Sequence, residues 1–199
     1  MAGVARAVAK WQSQAVLKDV VINGPTAAGG SVTGPALQPV IEQMMAAAGV
    51  PAAVAKAFAG PVSSGWSAWA ATLRAPSMNW YPPFASFPGP VAPPTPNVPA
   101  PLMALGGNPS PLSAASLKAS IRKALGDRAN DRQASAAIDE FADDFAARFA
   151  NYRVSAMVTN VMGTGPVPTF APPYVPVGPV VGGKGTMQRG GFTGQWPSN

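Results

Sequence analysis

Proline restricts this chain more than any other residue, because 16 of its 24 prolines fall in two short stretches, residues 76–101 and 166–179. Each stretch follows a helix-like region and carries the same phrase. The first copy has Pro82-Pro83-Phe84 and then Gly89-Pro90-Val91; the second has Pro172-Pro173-Tyr174 and then Gly178-Pro179-Val180. Proline fixes φ and has no N–H to donate, so such segments are expected to run as extended, polyproline-like ribbon outside helix interiors and central strands. A ribbon of this kind needs a surface to lie against.

Composition narrows what that surface could serve. The 199 residues contain neither cysteine nor histidine. Disulfides, thiolate chemistry and cysteine metal sites are thereby excluded, and the commonest general base and metal ligand are missing. Only 11% of residues are charged, against about 25% in ordinary soluble domains. So little charge, with aromatics interleaved among the prolines, points to permanent neighbours rather than to a disordered linker. The formal charge of +6 is dispersed along the chain. Its densest patch, Lys118, Arg122, Lys123, Arg128 and Arg132, runs into an acidic stretch, so nucleic acid is not the favoured partner. Residues 1–21 lack the apolar core of a signal peptide, and the longest uncharged apolar run, Met44–Ala55, is too short and broken to span a bilayer.

The periodicity reads as helices. Val4–Val21 carries a stripe of Val4, Val8, Trp11 and Ala15, ended by Asn23-Gly24-Pro25, with a glycine-rich connector following over Thr26–Gly34. Further helices are expected over 35–48, from Pro51 to Phe58, and from Ser63 to Leu73, interrupted at Gly60-Pro61. Ser110 and Pro111 read as the N-cap and first residue of a helix to Leu125. The longest helix is expected over Asn130–Met162, with Ile138, Phe141, Phe145, Phe149, Tyr152 and Ala156 on one stripe. Pro35 answers to Pro111, Gly49 to Gly126 and Gly106-Gly107 to Gly182-Gly183, an order of elements that leaves duplication and chance as equal alternatives.

The expected fold is therefore mainly α: a small helical bundle, readable as two pseudo-repeated halves, with long extended Pro-rich arms and little regular β-sheet. Its units are an N-terminal helix and connector (1–34), a helical unit (35–75), an arm (76–109), a second helical unit (110–162), a second arm (163–183) and a flexible tail (184–199).

No constellation promises chemistry. Asp139, Glu140, Asp143 and Asp144 form the only carboxylate cluster, which reads as a solvated helix face with Asp144 pairing to Arg148 one turn on. The run from Gly178 to Lys184 approaches a phosphate-binding loop but has Gly185 where Ser or Thr is required. Arg189-Gly190-Gly191-Phe192 is a single RGG-like element. Trp66 and Trp69 read as packing residues. A non-enzymatic protein is expected, with no catalytic, cofactor-binding or metal-binding residue.

Short helices alternating with Pro-aromatic stretches, notably residues 78–107 and the echo at 166–183, resemble the minor structural proteins of tailed-bacteriophage virions. That resemblance implies a multi-copy virion protein made in the host cytoplasm, strapping neighbouring tail or baseplate subunits in a symmetric or homo-oligomeric assembly. Partner anchors would be Trp80, Tyr81, Phe84, Phe87, Phe170 and Tyr174. A membrane- or envelope-surface-binding protein and a capsid or head-tail connecting protein are the alternatives.

Overall fold

The computed structural model describes residues 1–80, 82–172 and 177–197. In chain order these form α1 (Ala2–Gln14), β1 (Val16–Asn23), β2 (Thr26–Thr33), α2 (Gln38–Ala47), α3 (Ala52–Thr72), β3 (Ala75–Asn79), β4 (Val91–Pro96) and β5 (Ala100–Pro101). There follow α4 (Ala114–Leu125), α5 (Arg132–Ser155), β6 (Met157–Val158), β7 (Val161–Pro166), β8 (Gly183–Met187) and β9 (Phe192–Thr193). Six strands make one antiparallel sheet in the order β3-β2-β1-β8-β7-β4, and β5-β6-β9 make a second.

This corrects the expectation of a mainly α protein with little sheet: about half of the chain is helical and about a quarter is strand. The first error lies in α1, which stops at Gln14. Beyond it, Leu17, Val20 and Ile22 turn inward while Lys18, Val21 and Asn23 turn out. Asn23-Gly24-Pro25 ends no helix; it is the tip of the β1–β2 hairpin, with Gly24 at φ 58°, a conformation that suits glycine. The glycine-rich Thr26–Thr33 becomes β2 because β1 and β3 bond to it on both sides, although its own propensity is weak.

The prolines occupy the places a sheet allows them. β3 and β4 are the two edge strands, and edges and bulges are where a missing N–H is tolerated. In β4 the register slips between Ala92 and Thr95, which bracket Pro93-Pro94. In β3 a similar slip falls between Ala75 and Met78, which bracket Pro76. An extended ribbon was expected; non-donating residues also make edge strand, and edge strand is what forms. The two edges then meet at one end. Trp80 bridges Asn97, Val98 N–H donates to the Asn79 carbonyl (3.2 Å), and Trp80 Nε1 donates to the Thr95 carbonyl (3.2 Å). The sheet thus curls towards a small barrel.

The two halves are not equivalent. β3 and β4 of the first half lie at opposite edges, whereas β7 and β8 of the second pair directly. The matched phrases differ in register as well: Val91 is 57% exposed, while Val180 is fully buried. A one-residue offset in a strand sends the same side chain to the other face.

Helices cover the rest of the core. Pro61 does not divide α3, which runs unbroken from Ala52 to Thr72. The N-cap of α4 is Ser113, with Ser110–Leu112 forming a short 3₁₀ turn before it, and α5 is capped by Asp131, whose carboxylate accepts from the Gln133 and Ala134 N–H groups. The expected α5 stripe faces inward: Ile138, Phe145, Phe149, Tyr152 and Ala156 are buried, and Phe141 packs edge-on against Phe58. With Trp11, Trp66, Trp69 and Trp196 they form one aromatic core, in which burial pushes the Tyr152 phenol above its ordinary range while the Gln12 side chain opposes.

Candidate functional site: the proline end of the sheet

The two proline phrases lie against each other. Phe87 N–H donates to the Gly178 carbonyl (2.8 Å) and Gly178 N–H returns the bond to the Phe87 carbonyl (3.3 Å), an antiparallel bridge. Val180 N–H donates to the Phe84 carbonyl (2.9 Å), and Val167 N–H to that of Pro90 (2.9 Å). Proline carbonyls accept even though proline nitrogens cannot donate, so such ribbon joins a sheet through its acceptors.

Beneath this pairing the wall of the barrel is glycine. A Cβ on Gly163 would lie 2.6 Å from the Trp80 ring, and one on Gly185 would lie 3.2 Å from it. Trp80, only 2% exposed, therefore fills the space that these glycines leave, stacked on Phe84 at 6.3 Å between ring centroids. Of the expected partner anchors, Trp80 and Phe84 are buried in the chain's own core, and Phe87 and Phe170 are half-buried against it. Tyr81 and Tyr174 lie outside the described residues.

What this end offers to a neighbour is a row of side chains that the sequence reading did not single out. Val91 pairs with Pro166, and the Pro166 carbonyl accepts from Val181 N–H (3.0 Å). Their chain neighbours Ala92 and Val180 are buried, so Val91, Pro166 and Val181 point outward together, Val91 at 57% and Val181 at 46% exposure. Val177, at 57%, sits beside Gly178 in the same phrase. The available signal was alternation: within β4, Val91 faces out and the next residue, Ala92, faces in.

The charged constellations are structural. Lys118 Nζ reaches Asp143 at 2.9 Å and Asp139 at 3.6 Å, Arg122 reaches Asp139 at 2.9 Å, and Arg148 reaches Asp144 at 2.7 Å. The basic face of α4 thus meets the acidic face of α5 in partly exposed ion pairs, while Arg148–Asp144 lies within α5. The hydrogen bond to Asp143 contributes most to raising the Lys118 pKa. Among the described residues no group of three or more carboxylates is placed to hold a metal ion, and no helix is long and apolar enough to cross a membrane. The loop-like Gly178–Lys184 run leads into β8, and Lys184 sits on a strand between β1 and β7 with no helix after it. Because the Lys118 and Arg122 pairs are partly exposed, Asp139→Asn with Asp143→Asn is expected to leave the urea-denaturation midpoint nearly unchanged. A clear fall in the midpoint would show that the α4–α5 contact depends on these charges.

Compared with family models, with curated proteins and with solved structures, the chain matches none.

Proposed function

We propose that this protein is a non-enzymatic structural subunit of a virion of the tailed-bacteriophage kind, present in many copies in a tail or baseplate. It contacts neighbouring subunits through the outward row Val91, Pro166 and Val181. That row carries the reading: apolar Val91 and Pro166, paired across β4 and β7, and Val181, bonded to Pro166 just before β8, at the end where both proline phrases converge, in a chain with few charges to keep it apart from others. Trp80, Phe84, Phe87 and Phe170 hold the ribbons to their own chain, which stiffens this surface before a partner arrives.

Mass spectrometry of gradient-purified particles should find the chain in many copies. Its absence from particles that contain their other structural proteins would overturn the reading. The double substitution Val91→Lys with Val181→Lys should leave stability within about 0.5 kcal/mol per site, since both side chains are exposed. Incorporation into particles should fall at least tenfold, and undiminished incorporation would remove this face from the account.

A further inference from the structure

The groove between α3 and α5 is filled by the chain's own C-terminal segment, and the manner of its seating says what else fits there. Trp196 is 7% exposed, with ring centroids 5.2 Å from Phe145, 5.7 Å from Tyr152 and 6.3 Å from Trp66. Beyond the β6–β9 ladder, two side-chain hydrogen bonds among the described residues fasten the segment, and both grip main chain. Gln12 Nε2 donates to the Gly194 carbonyl (3.0 Å), and Arg148 Nη1 donates to the Pro197 carbonyl (2.5 Å) while its Nε holds Asp144.

Three features make this seat exchangeable. The strand that leads into it, β9, is two residues long and among the described residues pairs only with the equally short β6. Glycines flank that strand: Gly190 has φ 77° and Gly194 has φ 116°. Lacking a Cβ, both can change φ at less cost than any other residue. The seat is also incompletely satisfied, since the indole N–H groups of Trp66 and Trp196 are buried without an acceptor among the described residues.

We infer that residues 192–197 are a detachable strap and that the groove accepts the same segment from a second copy of this chain. A strap from another copy makes the same contacts as the chain's own, so exchange changes connectivity without sacrificing contacts. This goes beyond the virion reading and stands or falls apart from it.

The test uses a labelled peptide of residues 190–197 with full-length chains. Trp196→Ala should vacate the groove, so the peptide should bind that variant saturably and at least tenfold more tightly than it binds the unaltered chain. The same peptide carrying Trp196→Ala should not bind. Failure to bind a folded variant, or equal binding to both chains, overturns the inference. If Trp196→Ala does not fold, the absence of cysteine permits a single exposed label at Gln195→Cys. Donor- and acceptor-labelled chains, mixed, should develop energy transfer that rises with concentration and is competed away by the unlabelled peptide. No transfer, or transfer indifferent to the peptide, overturns it equally.

Discussion

Trp80→Ala is expected to destabilise the protein by about 3–5 kcal/mol, the range for removing a fully buried large aromatic. In a chain of this size that corresponds to a fall of roughly 6–20 °C in Tm. The magnitude follows from where the ring lies. It is 2% exposed, fits against Gly163 and Gly185, stacks on Phe84, and donates from its indole nitrogen to Thr95 at the point where the sheet edges meet. Its loss leaves a cavity, strands the Thr95 carbonyl and loosens the closure in one step. Were Trp80 an anchor waiting for a partner, the same substitution would leave the isolated chain within about 0.5 kcal/mol of its original stability. Thermal and urea denaturation therefore distinguish a ring that fills its own barrel from a ring held out to a neighbour.

Gly165→Ala is expected to cost about 1–3 kcal/mol, as over-packing does, although only a methyl is added. The added Cβ would overlap Gly183 Cα and come within 2.6 Å of Val180 Cγ1. A flexible side chain could step aside, but the obstruction here is backbone of the neighbouring strand, so β7 and β8 must separate. Gly126→Ala is the control for glycine-to-alanine effects in general: no atom lies within 4 Å of the new Cβ, and its cost comes only from the positive φ of 58°. Hydrogen exchange should show Gly165→Ala raising amide exchange along β7 and β8, and Gly126→Ala leaving those strands unchanged.

The helices were largely legible in the sequence because helical order is local. The α5 stripe from Ile138 to Ala156 repeats every three or four residues, and that repeat is what the core uses. The sheet was not legible, because its strands draw on distant partners. β2 is Thr-Ala-Ala-Gly-Gly-Ser-Val-Thr, which has no intrinsic claim to be a strand until β1 and β3 flank it. β8, Gly-Lys-Gly-Thr-Met, likewise sits between β1 and β7, and its glycines are required by the Trp80 ring and by close packing around Ile22. The prolines misled through a half-applied rule. Exclusion from central strands is correct, yet edge positions and bulges remain open, and β3 and β4 use both.

The candidate site divides along the same line. Among the aromatics expected as partner anchors, Trp80 and Phe84 are buried in their own chain, and Phe87 and Phe170 are half-buried against it. The outward valines escaped notice because Gly89-Pro90-Val91 and Gly178-Pro179-Val180 look alike in sequence and differ by one residue in register. Only pairing fixes register, and pairing is long-range.

The central claim is that the two proline phrases bind each other within a single chain. Hydrogen exchange on the isolated, unassembled protein tests it most directly, read at the Phe87, Val167 and Val180 amides, each of which donates across the pair of phrases. The account predicts slow exchange at all three, in the same class as the β7–β8 amides. Exchange at the rate of an unfolded peptide, with β7 and β8 still protected, would contradict it.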